Sequence, residues 1–156
     1  MSELKQIERA IAGAFRDLPE QIGMLAVNFS KQRFVEQNWL YTTPQPWEAR
    51  HRKRRGGKKR QNGAVLVDSG RLKRSIRIIA TTPLSVTIGT DVPYAQIHND
   101  GFSGVQSVKA HTRKGKNVRA HRRKMKMPKR KFIGNSAALM LEIEKFIIEQ
   151  INGVLK

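Results

Sequence analysis

The chain has 156 residues, no cysteine and a formal net charge of +19, with 31 Lys/Arg against 12 Asp/Glu. That length suits one domain, residues 1–156, with a modest core, and the missing thiols exclude disulfides and thiolate metal sites. No stretch reaches the apolar length of a membrane span, and the opening Met1-Ser2-Glu3-Leu4-Lys5 has no basic region followed by an apolar run, so neither insertion nor secretion is signalled.

Leu4, Ile7, Ile11, Phe15 and Leu18 recur at helical spacing behind Ser2 and Glu3, which predicts an amphipathic helix. Pro19 suits the first turn of a second helix, continued by Ile22, Leu25, Ala26 and Phe29; the pair can also be read as one kinked helix. Such stripes are core faces far more often than ligand sites. From Trp39 to Trp47 the aromatic, proline-broken run predicts an extended connection anchored by buried rings.

Beyond Gly63, Asp68 or Ser69 can accept hydrogen bonds from the free N–H groups of a short turn starting at Gly70. Ile76, Ile78 and Ala80 alternate, as do Leu84, Val86 and Ile88, which predicts an antiparallel hairpin over 74–81 and 84–90 with its turn near Thr82-Pro83. Asp91 and Pro93 start a short helix that Gly101 stops, with Tyr94 and His98 one turn apart. Residues 102–124 are glycine-rich and basic without periodicity and read as a long loop, after which Lys124-Met125-Lys126-Met127 alternates like a strand until Pro128. Asn135 or Ser136 can cap a last helix whose Leu139, Ile143, Phe146, Ile147 and Ile151 form one stripe. The class is α+β: a small, mainly antiparallel β-sheet packed by N-terminal and C-terminal α-helices, with two long basic loops near 50–62 and 102–124.

Those two segments hold most of the positive charge. Arg50–Arg60 contains eight Lys/Arg and no acid, and Lys109–Lys131 twelve and no acid, while the rest of the chain carries eleven Lys/Arg against twelve Asp/Glu. A nearly neutral body thus bears two basic extensions. They are suited either to phosphates, whose neutralisation releases counterions, or to acidic surfaces of neighbouring subunits, and the bland alternative is a solvated loop. Arg52, Arg54, Arg55, Arg113, Lys114, Arg119, Arg122 and Arg123 are the candidate contact residues.

Chemistry is not signalled. His111 and His121 lie ten apart without nearby Cys, Asp or Glu, and no helical metal-pair spacing occurs, so no metal site or cofactor is expected. A nuclease using His98 or His121 as base lacks a second group at a defined distance, and Ser69 lacks the setting of a hydrolase nucleophile.

One ordered series of motifs remains. Trp47 and Arg50 precede Leu66-Val67-Asp68-Ser69-Gly70-Arg71-Leu72 with Ser75-Ile76; Ile88-Gly89-Thr90, Tyr94-Ala95, His98 and Gly101 follow; Pro128, Arg130, Phe132 and Gly134 close it before the last helix. In that order the chain resembles the virion morphogenesis, or tail completion, family of tailed bacteriophages. The resemblance implies a non-catalytic virion protein at the neck, made in the bacterial cytoplasm. It would form a homo-oligomeric ring between the tail tube or its terminator and the head connector. The charge partition, and not the resemblance, adds genomic DNA as a further non-specific contact of the basic segments. The resemblance also implies that the motif residues build the fold, while the basic segments depart from the family pattern. The rival reading is a basic RNA- or DNA-binding protein without catalytic activity.

Overall fold

The structure, a computed structural model, describes residues 3–49 and 64–154. The first basic segment, with Arg50, His51, Arg52, Arg54 and Arg55, lies outside the described residues. In chain order the elements are α1 (Glu3–Glu36), β1 (Asn38–Leu40), β2 (Pro44–Pro46), α2 (Arg71–Ser75), β3 (Arg77–Thr82), β4 (Ser85–Gly89), α3 (Ala95–Asp100), β5 (Phe102–Val108), β6 (His111–Arg113), β7 (Lys116–Val118), β8 (His121–Met127) and α4 (Ala137–Val154). Helices flank antiparallel strands, so the class is α+β.

The N-terminal segment is one helix, continuous through Pro19. Proline forfeits the bond to the carbonyl of Phe15, but here it is buried. Phe15, Leu18, Pro19 and Ile22 face Pro83, Leu84 and Val86 across a shallow cleft, so the tip of the β3–β4 hairpin rests on the helix at this point. One turn further on, Gly23 lets the hairpin approach: a β-carbon there would lie 2.6 Å from Val86 Cγ2 and 2.7 Å from Ile78 Cδ1.

Within that hairpin Ile78 pairs with Ile88 but Ala80 with Thr87, leaving Ile79 as the extra residue of a bulge. The bulge breaks the simple alternation. Ile76 is fully buried, whereas Ala80 is exposed. Leu84 belongs to the turn and not to the second strand, and it is 97% exposed.

The strands do not merge into one sheet under the C-terminal helix, as the alternation suggests. Among the described residues they form four separate two-stranded ribbons, β1–β2, β3–β4, β5–β8 and β6–β7. The long helix α1 takes the central place, with β3–β4 and α4 both packed on it. Its second half buries one broad stripe at helical spacing, Gly23, Ala26, Val27, Ser30, Arg33 and Phe34, while Met24, Asn28, Gln32 and Val35 on the other side stay exposed. Ser136 caps α4 as expected. Its Oγ accepts from Leu139 N at 3.2 Å and donates to Leu40 O at 2.7 Å, fastening the helix start to β1.

The core gathers Val27, Phe34, Trp47, Leu72, Ile76, Val92, Ala95 and Phe132. Phe34 meets Trp47 edge-on at 5.4 Å between ring centroids and Phe132 at 5.0 Å. Both tryptophans of the connection are buried, and it forms the tight β1–β2 pair. Arg33 is buried beside it, its guanidinium over the Phe29 ring and bonded to Asn38 Oδ1 at 2.9 Å.

Candidate functional site

The motif segment 128–134 threads between the end of the aromatic connection and α3. Arg130, 5% exposed, donates from Nε and Nη2 to Glu48 O at 3.0 and 2.8 Å, while its own N–H bonds His98 O at 2.8 Å. Asn99 Oδ1 accepts from both Phe132 N and Ile133 N, and Trp47 Nε1 donates to Lys131 O at 2.9 Å. Each of these bonds satisfies a group that the buried segment would otherwise leave unpaired. Residues far apart in sequence are thereby locked to one another.

Eight of the motif residues converge on one open groove of about 530 Å³. Leu66, Ser69, Gly70, Leu72, Tyr94, His98, Pro128 and Arg130 line it, together with Asp68, Lys126 and Met127. Gly70 takes φ +70° just before α2, with Ser69 Oγ 3.4 Å from Arg71 N. Tyr94 and His98 meet edge-on at 5.8 Å, one turn apart as their spacing predicts. Trp47, Ala95 and Phe132 lie in the core behind the groove. Gly101, at φ +77°, sits where a β-carbon would be 3.0 Å from Lys129 N, so the chain entering β5 and the chain leaving β8 touch there. Gly134 has a positive φ in the turn before α4.

Ala49 and Val65, on either side of the first basic segment, also line the groove. Gln37 secures both flanks. It ends α1 at φ +57°, its carbonyl accepts from Trp47 N at 2.8 Å, and its side-chain amide bonds Val65 through both Val65 N and Val65 O.

The second basic segment is not a loop. Residues 102–127 form an arm in which β5 and β8 pair over seven residues each, from Phe102↔Met127 to Val108↔His121. After short breaks at 109–110 and 119–120, β6 and β7 pair up to Arg113↔Lys116. Lys114 and Gly115 turn the chain with φ +51° and +75°, the signs a two-residue hairpin turn requires. Serine, glutamine, lysine and arginine on a ribbon that buries neither face leave little apolar periodicity to read. The legible signals are Lys114-Gly115 and the Met125/Met127 alternation. Arg113, Lys114, Arg119, Arg122 and Arg123 all lie on this arm and are exposed.

No group of His, Cys, Asp or Glu able to hold a metal occurs among the described residues. His111 and His121 each sit with Nδ1 2.9 Å from a carbonyl two residues earlier, Lys109 O and Arg119 O, a local turn contact. Gln37, Asn99 and Arg33 are the structural polar residues that sequence reasoning missed. Lone polar side chains in apolar surroundings carry no motif, and the one available signal is the position of Arg33 between Phe29 and Phe34 on a helical stripe.

A model of the phage virion morphogenesis family matches residues 2–152. No curated protein and no solved structure matches the chain.

Proposed function

The chain belongs to the phage virion morphogenesis family, and from that premise we propose that it is a non-catalytic structural protein of the virion, acting at the head–tail joint. Copies associate into a ring that completes the tail and docks it to the head connector, with the tail tube or its terminator on the other side. The match over nearly the whole chain carries this reading, because the residues of the motif series are those that build the core and the groove.

Exposed apolar side chains support self-association. Met140, Leu141 and Ile148 on α4 are 50%, 64% and 58% exposed, and Phe15 and Met24 on α1 are 50% and 57% exposed. Large apolar side chains grouped on helices that already bury another face are what a subunit interface covers.

The test is a phage carrying a nonsense mutation in this gene. Filled heads and finished tails should accumulate unjoined, and the purified protein should restore joining in the lysate. Joined particles in its absence would overturn the assignment.

A further inference from the structure

The register of the arm sorts its side chains onto two chemically different faces. Directly opposed residues of an antiparallel pair project to the same side. Ser103, Val105 and Ser107 therefore share one face with Lys126, Lys124 and Arg122, and all six are exposed. The other face carries Phe102, Gly104, Gln106 and Val108 with Met127, Met125, Arg123 and His121. There Arg123 is already engaged, donating from Nε and Nη2 to Gln106 Oε1 at 3.1 and 2.8 Å.

On the first face, Arg122, Lys124 and Lys126 have no ion-pair or hydrogen-bond partner among the described residues. No acidic residue occurs between Asp100 and Glu142 to neutralise them. They recur every second residue, a step of about 6.8 Å along an antiparallel strand, which is commensurate with successive phosphates of a nucleic-acid strand. Ser103 and Ser107, across the ribbon, add hydroxyl donors to the same row. Lys126 also lines the motif groove, so the row runs to the root of the arm.

We propose that this face of β5–β8 binds the sugar–phosphate backbone of duplex DNA without regard to sequence. The proposal goes beyond the position in the particle and can be tested on the free protein. Sequence-independent binding follows from the spacing: a row of long cationic side chains at a phosphate-like step, with short hydroxyls beside it, is matched to the regular backbone. The face carries none of the amides or carboxylates that read adenine and cytosine, and two unrelated duplexes test for the Arg or Lys contact to guanine. Duplex over single strand follows from the lack of an aromatic ring on it, since single-strand grooves depend on base stacking. An acidic protein surface is the competing polyanion, but it presents carboxylates at irregular intervals, whereas this row has a fixed step.

The experiment uses the full-length protein and fluorescence anisotropy between about 50 and 200 mM salt. The probes are short duplexes of two unrelated sequences, poly-dT and poly-glutamate. The two duplexes should bind alike. In the variant Arg122→Gln/Lys124→Gln/Lys126→Gln the slope of log K against log salt should shrink by about 2.7, and affinity at low salt should fall by about tenfold or more. Lys5→Gln/Arg16→Gln/Lys145→Gln removes the same charge from exposed helix positions and should change the slope by less than half as much. Arg122→Lys/Lys124→Arg/Lys126→Arg should bind as the unaltered protein does, since the row needs charge and not a particular head group. Equal losses in the two Gln variants would overturn the proposal, as would tighter binding to poly-dT or to poly-glutamate, or no duplex binding at all.

Discussion

Gln37 and Val65 are joined by a closed pair of hydrogen bonds, the side-chain amide of one matching the backbone N–H and C=O of the other across 28 residues of chain. The same glutamine holds a left-handed backbone conformation and accepts from Trp47 N. Gln37→Ala should lower stability by about 1–3 kcal/mol, because it strips partners from half-buried backbone groups. Gln37→Gly loses the same bonds but tolerates the positive φ, so it should be more stable than the alanine variant by about 1 kcal/mol. Urea unfolding of the pair separates the two contributions, and wild-type stability in both would refute the tether.

Phe132, 1% exposed, packs against Phe34, and its neighbours are fixed by Asn99 and Trp47. Phe132→Ala should cost about 3–5 kcal/mol. Phe102, more than a third exposed at the foot of the arm, gives the contrast: Phe102→Ala should change the midpoint of thermal unfolding only slightly.

Ser136 is 1% exposed and serves two bonds at once. Ser136→Ala should cost about 1–3 kcal/mol, since both the cap and the bond to Leu40 O are lost and a methyl group replaces neither. Asp is a good cap at exposed helix starts, yet Ser136→Asp should be worse than alanine here, because a buried carboxylate would face the Leu40 carbonyl. Equal stability of the aspartate variant and the wild type would show that the site opens to water.

The exposed apolar residues of α4 yield a separable outcome. Leu141→Glu/Ile148→Glu should leave the fold intact by circular dichroism, because both side chains are more than half exposed. Self-association measured by sedimentation should weaken, and head–tail joining with it. Unchanged association would move the subunit interface elsewhere on the molecule.

Much of the body is legible in the sequence, and the failures share a physical cause. Helical stripes and the Ser136 cap are short-range signals, fixed by the chain's own geometry, and they appear where expected. The packing of α4 on α1 is not such a signal: the stripe from Leu139 to Ile147 says that one face is covered, and nothing in it says by what. The bulge at Ile79 lies next to Ile78, whose side chain meets α1 at Gly23, a contact between distant segments that alternation along the strand does not encode. The motif residues are identifiable as a set, but their meeting in one groove depends on bonds such as Arg130 to Glu48 O, between residues 82 apart. Asn99 and Gln37 carry no sequence signature at all, because a single amide can serve any pair of backbone groups.

The arm also has an ionic consequence of its own. Between Phe102 and Met127 it is a bare two-stranded ribbon, with Arg113 directly opposite Lys116 at the tip. Isolated ribbons are marginally stable, and opposed like charges weaken them further. Added electrolyte screens that repulsion, over about 10 Å at 0.1 M. The ions that loosen a bound polyanion therefore steady the free ribbon. Amide exchange in β5 should slow as salt rises with no partner present, and a plot of binding against salt should bend at its dilute end, where part of the attraction is used to straighten the arm.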